Sequence, residues 1–152
     1  MKLSPEVKQM IIDENNAFKE KQYGGLTKAE RKKLGAVYTP GELVIRMIES
    51  FDCDSLAGQQ ILDPTCGSGN LLAGCLIAGA DPDKLFGNEL NEEMVKLCRK
   101  RLWAICDMLG KKRFWYYHIH QGNALDPRAL TDFSEKYCRE QSKARKLATA
   151  AN

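Results

Sequence analysis

One short segment, residues 63–69 (Asp-Pro-Thr-Cys-Gly-Ser-Gly, hereafter the glycine turn), has the composition of a ligand-binding turn. Its glycines let a ligand approach the backbone, because no Cβ atom stands in the way. The segment is not a phosphate loop, since Gly-Lys-Ser/Thr is absent, and Leu72 stands where the dinucleotide fingerprint has its third glycine. The carboxylate of Asp63 would repel a pyrophosphate and attract a cation. The turn therefore predicts a ligand that carries an ammonium or sulfonium group.

A strand and a helix must position this turn. Residues 60–63 form a short apolar run, and residues 70–78 are apolar nearly all round, which is typical of a buried helix. A second strand over 84–89, a helix from 91 to 109 and a third strand over 114–119 are expected to follow. This alternation predicts an α/β fold with a parallel sheet and right-handed crossovers. The ligand is then expected at the carboxyl ends of the strands.

Two further polar residues stand at predicted strand ends. Glu89 ends the second strand, where an acid commonly accepts both hydroxyls of a ribose. Asn123 follows the third strand, and its amide can pair with the edge of an adenine. A positive centre, a ribose and an adenine together describe S-adenosylmethionine (SAM).

The amino-terminal third predicts helices that cap the same domain. Residues 4–22 fit a helix capped by Ser4, and the spacing of Thr27 and Glu30 predicts a short basic helix to residue 33. Residues 39–42 (Thr-Pro-Gly-Glu) predict a second capping box, with Thr39 as the cap. The apolar faces expected for the first and third helices consist of Val7, Met10, Ile11 and Phe18, and of Leu43, Val44, Met47, Ile48 and Phe51.

Residues 63–72 resemble the SAM-binding motif of the class I methyltransferases, most of all the DNA adenine-N6 branch, where Asp-Pro-x-Cys-Gly-Ser-Gly is usual. Three other landmarks occur in the order of that branch. Residues 35–40 are similar to its Tyr-Thr-Pro element, which contacts the methionine end of the cofactor. Residues 86–90 are similar to its ribose-binding strand. Residues 121–125 are similar to its adenine-contacting turn, with Asn123 where aspartate is usual.

The resemblance covers about residues 34–126 and implies a Rossmann-like class I methyltransferase fold with SAM as the cofactor. The sheet would be truncated to about three strands, with an amino-terminal helical cap and a carboxyl-terminal helix. The residues that the resemblance implies to hold SAM are Tyr38, Thr39, Pro40, Asp63, Pro64, Thr65, Cys66, Gly67, Gly69, Glu89, Leu90, Asn123 and Ala124.

The catalytic motif of that family is missing, so the catalytic residues are unknown. Its members end the next strand in Asp/Asn/Ser-Pro-Pro-Tyr/Phe, which holds the target amine and stacks the flipped base. This sequence has no Pro-Pro, and Asp126-Pro127 lacks both the second proline and the aromatic residue. The first strand is thus expected to keep an open edge. A helix over 128–147, a second copy of the chain or a second polypeptide would cover it.

Length and composition predict one domain of 152 residues, with a helical cap over 1–51, a SAM-binding βαβαβ core over 57–126 and a carboxyl-terminal helix and tail over 127–152. A hydrophobic fraction of 43% and a charged fraction of 28% exclude collagen and wholly disordered chains. No apolar stretch suits a membrane and no secretory signal is visible, so a cytoplasmic location is expected. The net charge of +3 allows DNA as a partner without requiring it.

The remaining titratable residues are interpreted as structural. The six cysteines form no Cys-x-x-Cys and are expected to be free thiols, and no metal site is expected. His118 and His120 are interpreted as strand residues, and the basic runs 99–101 and 111–113 as solvated faces. Three functions stay open: a SAM-dependent DNA adenine-N6 methyltransferase completed by a partner, an inactive SAM-binding regulator, and a methyltransferase for another substrate.

Overall fold

In its described residues, the computed structural model of the chain has a three-stranded parallel sheet with helices packed on it. The structure describes residues 1–33, 38–112 and 118–126, with the backbone alone for 31–33. In chain order the elements are α1 (Pro5–Tyr23), α2 (Lys28–Lys33), α3 (Gly41–Glu49), β1 (Ile61–Asp63), α4 (Asn70–Ile77), a 3₁₀ turn (Pro82–Lys84), β2 (Leu85–Glu89), α5 (Glu92–Met108) and β3 (Ile119–Gln121). The expected truncated Rossmann-like α/β fold is confirmed.

The register of the sheet brings Asp63 and Glu89 to the same end of neighbouring strands. The strand order is β1-β2-β3 and both pairings are parallel. Asp63 is level with Gly87 on β2, and Glu89 is level with Gln121 on β3. Because parallel strands end on the same side, the carboxyl ends of β1 and β2 lie beside each other. Within the described residues β1 is an edge strand, and Leu62 on it is 46% exposed.

The core lies between the sheet and the helices that connect its strands. With right-handed crossovers, the order β1-β2-β3 puts α4 and α5 on the same face, and these helices contact each other and β2. Helix α4 is buried almost all round, as its composition predicts. On α4, the space that a Cβ of Gly74 would need is already occupied by the Val44 side chain of α3. Helix α3 therefore packs closely against α4.

Several predicted helix starts are confirmed by their hydrogen bonds. The hydroxyl of Ser4 accepts the Val7 N–H at 3.4 Å at the start of α1. The Thr27 and Glu30 side chains each accept the other's backbone N–H, at 3.3 and 2.7 Å, before α2. Asn91 caps α5 through its side-chain oxygen. These starts depend on residues that are close in sequence, which is why a local pattern reveals them.

The predicted start of α3 is wrong. The helix begins at Gly41 with Pro40 in the cap position, and no side chain caps it. Thr39 instead uses its backbone carbonyl, which accepts a hydrogen bond from the buried Asn15 side chain of α1 at 3.5 Å. Gly41 packs against the backbone of Ile12, 3.1 Å from the ideal Cβ position. Contacts with α1 thus decide where α3 begins.

The predicted apolar faces of α1 and α3 are wrong in part. On α3 the buried residues are Gly41, Val44, Ile45 and Ile48, whereas Leu43 and Met47 are exposed. On α1 Ile11 is buried and Met10 is exposed, and the polar Asn15 joins the buried side. The apolar residues of α3 outnumber those that one face can bury. Packing on α1 and α4 therefore selects which of them face inward.

Substitutions on the buried and the exposed side of α3 are expected to differ in their effect on the stability of the fold. Val44 is fully buried and Leu43 is 48% exposed. We expect Val44→Ala to lower the free energy of unfolding by about 1–2 kcal/mol, since it removes methyl groups from a packed core. Leu43→Ala removes a larger side chain and should cost less than about 0.5 kcal/mol. Urea denaturation of both variants measures this, and a larger loss for Leu43→Ala would contradict the burial of this face.

Other expectations fall wholly or partly outside the described residues. These are residues 35–37 of the Tyr-Thr-Pro resemblance, residues 114–117 of the third strand, the 111–113 basic run beyond residue 112, and the helix over 128–147. The third strand is described from Ile119 and continues to Gln121. The division into cap, core and tail stays a prediction. Among the described helices, none is both long enough and apolar enough to cross a membrane.

Candidate functional site

The glycine turn is a compact loop at the end of β1, held by its own backbone and by β2. Cys66 N–H donates to the carbonyl of Asn88 on β2 at 2.9 Å, and Gly69 N–H donates to the Cys66 carbonyl at 2.8 Å. Gly67 and Gly69 have φ angles of +53° and +83°. Side chains with a Cβ rarely adopt such angles, so glycine is favoured at both positions. These hydrogen bonds and φ angles define the backbone conformation of the turn, which leads directly into α4.

The lack of a side chain has a different consequence at each of the two glycines. No atom lies within 4 Å of an ideal Cβ on Gly67, so a ligand can approach the backbone there. An ideal Cβ on Gly69 would lie 2.7 Å from Cys98 Sγ on α5. The absence of a side chain at Gly69 therefore permits packing, and its absence at Gly67 leaves open space.

Glu89 holds the turn from the end of β2. Its Oε2 accepts the Gly67 N–H at 2.9 Å, and its Oε1 accepts the Asn91 N–H at 2.8 Å. Each carboxylate oxygen can accept more than one hydrogen bond. Glu89 therefore fixes the backbone of the turn and keeps acceptor capacity for ligand hydroxyls.

Asp63 brings a second carboxylate to the same place. Its Oδ1 accepts the Thr65 N–H at 3.1 Å. Burial raises the pKa of Asp63, the Thr65 hydrogen bond opposes that shift, and the charge of Glu89 raises the pKa further. A positive group beside Asp63 would favour its ionised form. The arrangement is therefore suited to a cationic ligand.

Asn88 links this turn to the end of β3. Its buried side-chain amide donates to the Pro64 carbonyl at 3.2 Å and to the Gly122 carbonyl at 3.0 Å. Gly122 N–H in turn donates to the Glu89 carbonyl at 3.0 Å. Sequence reasoning missed Asn88, although a polar residue inside a buried strand is a signal that it has fixed partners.

Asn123 and Ala124 lie next to this link and are at least partly exposed. The side-chain oxygen of Asn123 accepts the Leu125 N–H at 3.0 Å, so part of its hydrogen-bonding capacity is used within the turn. Pro64, Thr65 and Leu90 are exposed around the same edge of the sheet. The structure thus brings together the predicted residues that follow β1, β2 and β3.

The Tyr-Thr-Pro element (residues 38–40) contacts helix α1. The Tyr38 hydroxyl hydrogen-bonds the backbone and side-chain oxygens of Asn15, and its ring packs edge-on against Tyr23 at 6.1 Å between centroids. Burial raises the pKa of Tyr38 to about 12, so the hydroxyl stays protonated at neutral pH. The described contacts of Tyr38 and Thr39 therefore anchor this element on α1 and not on the glycine turn.

The interpretation of residues 99–101 as a solvated face is wrong for Arg101, which is only 4% exposed. Its guanidinium pairs with Glu14 of α1 and reaches the carbonyl of Ser68 in the glycine turn at 3.4 Å. Arg99 also donates inward, to the Ile119 carbonyl at 2.5 Å. The helical spacing of Arg101 from the buried Cys98 and Ile105 is the signal that could have revealed its burial.

Among the residues that the structure describes, the thiols and imidazoles have structural surroundings. A hydrogen bond with Cys98, together with burial, raises the pKa of the Cys66 thiol. Burial lowers the pKa of His118, whose Nδ1 lies 3.1 Å from the Leu85 carbonyl. The described cysteines are free thiols, and the described residues contain no cluster able to hold a metal ion. What the arrangement offers is binding by carboxylates and backbone groups.

Two comparisons with known proteins match this chain to methyltransferases. A family model described as N-6 DNA Methylase matches residues 20–136, which include every residue predicted to hold SAM. The curated Type II methyltransferase M.VspI of Vibrio sp. (strain 343) is 30% identical over 83 residues, or 53% of this chain and 20% of that protein. The chain thus spans about a fifth of the length of that relative. No solved structure matches the chain.

Proposed function

This chain belongs to the N-6 DNA methylase family, and from that we propose that it binds SAM at the glycine turn and forms the cofactor-holding part of a DNA adenine-N6 methyltransferase. One observation carries the proposal. Asp63 and Glu89 bring two carboxylates from the ends of neighbouring strands to one turn, whose Gly67 is open to a ligand. Two like charges in a half-buried site favour a cation between them. SAM carries a sulfonium and an ammonium group.

The residues present fit the parts of that cofactor. We propose that Asp63 faces the positive end and that the free acceptor capacity of Glu89 takes the ribose hydroxyls. Gly67 allows the ligand to approach the backbone. Asn123 and Ala124, linked to the turn through Asn88, lie on the side proposed for the adenine. The Tyr-Thr-Pro element is proposed for the methionine end, with its position set by α1.

The chemistry follows from the cofactor and from positioning. When bound, SAM supplies a methyl group on a positively charged sulfur. The residues of this chain would hold and orient it, so that the exocyclic amine of an adenine approaches in line with the breaking carbon–sulfur bond. Catalysis of this kind depends mainly on orientation and electrostatics. Asp63 and Glu89 contribute by binding the cofactor, and neither has to transfer a proton.

The groups that hold the target adenine of the DNA are proposed to come from polypeptide other than these 152 residues. The sequence has no Pro-Pro dipeptide, and the chain corresponds to about a fifth of its methyltransferase relative. Within the described part of the chain, β1 has an open side with the exposed Leu62, and its backbone groups can pair with another strand. A second polypeptide or a second copy of the chain would occupy that edge, and DNA is the proposed substrate.

The proposal is tested in two steps on the purified chain. Calorimetric titration with SAM is expected to show saturable binding with one site per chain. Transfer of a tritium-labelled methyl group is then measured with DNA, RNA and cell extract as acceptors, with and without a polypeptide that carries the Asp-Pro-Pro-Tyr motif. Methyl incorporation into DNA adenine only with that polypeptide supports the proposal. Binding without transfer to any acceptor supports a SAM-binding regulator, and transfer only to RNA or protein identifies another substrate.

SAM binding is expected to weaken as the pH falls. The cofactor favours ionised Asp63, whose pKa in the free protein is raised by burial and by the charge of Glu89. The affinity should therefore be highest at neutral pH and begin to fall at a pH above the ordinary aspartate value of about 3.9. Titrations over a series of pH values measure this. An affinity that does not change until the chain unfolds in acid would contradict a charge-based contact with Asp63.

A further inference from the structure

Arg101 lies in the middle of the buried side of α5. The residues around it on that side are Val95, Cys98, Leu102 and Ile105, all of them in the core. An unpaired guanidinium in such surroundings would be strongly unfavourable, because it loses its hydration. Its burial therefore requires that its hydrogen-bond donors have partners nearby.

One side of the guanidinium is held by α1. The Nε and Nη2 atoms of Arg101 donate to the two carboxylate oxygens of Glu14 at 2.9 and 2.6 Å. The guanidinium carbon lies over the ring of Phe18, one turn further along α1, at 3.9 Å from the ring centroid. A two-point contact with a planar group leaves the guanidinium little freedom to rotate. Its orientation is thus fixed relative to α1.

The other side reaches the glycine turn. Nη1 of Arg101 donates to the Ser68 carbonyl at 3.4 Å and hydrogen-bonds the side-chain oxygen of Asn70, the first residue of α4. The Ser68–Gly69 peptide is therefore held from both sides, because its N–H donates to the Cys66 carbonyl. This peptide leads into Gly69, whose φ angle is +83°, and glycine permits alternative backbone angles there. Arg101 opposes such a change.

The same stretch of α1 also holds the Tyr-Thr-Pro element. Asn15, next to Glu14 in sequence, bonds the Tyr38 hydroxyl and donates to the Thr39 carbonyl. Two adjacent residues of one helix thus connect to the two separate segments proposed to contact SAM. Asn15 contacts the Tyr-Thr-Pro element directly, and Glu14 is connected to the glycine turn through Arg101.

We propose that Arg101 is a positioning residue of the cofactor site, which holds the Ser68–Gly69 peptide in the SAM-binding conformation and ties it to α1 through Glu14. The inference rests on the proposed SAM site and adds to it a residue that touches no part of the cofactor. If the network served only the stability of the fold, folded variants without it would still bind SAM normally.

The experiment compares SAM affinity in variants that are folded at the temperature of measurement. Arg101→Ala removes the donor to Ser68 but leaves Glu14 unpaired. The paired variant Glu14→Leu/Arg101→Met removes both charges, a replacement that buried ion pairs often tolerate. Lys96→Ala is the matched control, because it removes an ion-paired cation from the exposed side of the same helix. Calorimetric titration with SAM and thermal unfolding are recorded for each.

We expect Arg101→Ala and the paired variant to bind SAM roughly 10- to 100-fold more weakly, as the loss of a charged hydrogen-bond donor predicts. Lys96→Ala should bind as the wild type does. Methylguanidinium at millimolar concentration should restore affinity to Arg101→Ala, since a groove of about 640 Å³ borders Glu14, Phe18 and Arg101. Methylguanidinium should not restore SAM affinity to the paired variant, because the larger apolar side chains of that variant fill the site. Recovery of affinity in already folded protein is a result that a purely structural role would not give.

The outcomes separate this inference from the proposed function. If the wild type binds SAM and the folded paired variant binds it equally well, the positioning role is wrong and the cofactor site stands. If Arg101→Ala does not fold, the paired variant decides the matter alone. If the folded wild type binds no SAM, the proposed cofactor site and this inference are both overturned.

Discussion

Asp63→Asn is expected to weaken SAM binding by roughly 100-fold, because it removes the charge proposed to face the cation and keeps the shape of the side chain. The neutral amide can still accept the Thr65 N–H through its oxygen, so the turn should keep its conformation. Calorimetric titration of the variant against the wild type measures the loss. Asp54→Asn, which removes an exposed carboxylate outside the site, is the control and should bind normally.

The same substitution should not weaken the fold. The pKa of Asp63 is raised in the folded chain, so its ionised form disfavours folding, and stability falls as the pH rises through that pKa. The neutral amide of the variant carries no such penalty. The variant should therefore be at least as stable as the wild type at neutral pH, and the difference should vanish in acid, where both side chains are neutral. An Asp63→Asn chain that binds SAM normally, or that unfolds more easily at neutral pH, would contradict this account.

Gly69→Ala is expected to lower the free energy of unfolding by about 2–4 kcal/mol. The φ angle of +83° costs a residue with a Cβ about 1 kcal/mol or more. The new methyl group would also lie 2.7 Å from Cys98 Sγ, and such overpacking typically adds about 1–3 kcal/mol. Urea denaturation measures the sum, and SAM titration should show weaker binding because the turn has to move.

Gly67→Ala provides a matched control for this substitution. Its φ angle is also positive, but nothing lies within 4 Å of the added methyl group, so only the backbone cost of about 1 kcal/mol applies. Adding Cys98→Ala to Gly69→Ala should recover the overpacking part, since it removes the sulfur that the methyl group meets. Equal losses for the two glycine variants, or no recovery with Cys98→Ala, would show that the contact with Cys98 is unimportant.

The open side of the first strand is predicted by the sequence alone. In the family that the sequence resembles, the strand that carries the catalytic motif pairs beside this one, and the sequence has no Pro-Pro. The described structure has β1 at the edge of the sheet. What covers this edge stays a prediction.

Local patterns identified most elements of the described fold. The start of α1 at Ser4 and of α2 at Thr27 depends on side chains that bond backbone a few residues away. The buried strand β2 and helix α4 follow from runs of apolar residues. The glycine turn follows from residues that must adopt positive φ between a strand and a helix. At the helix starts the decisive interactions join neighbours in sequence.

The sequence by itself thus determined the family, the α/β order and the residue types at the strand ends. Tertiary structure decided the rest: that α3 begins at Gly41, that its buried stripe excludes Leu43, that Asn88 joins two turns and that Arg101 is buried. The physical reason is that each of these outcomes depends on a partner far away in the chain. Arg101 has a long charged side chain that is equally compatible with a solvated face. Among the described residues, Glu14 on α1, 87 residues away, supplies the charge that offsets the cost of burying it.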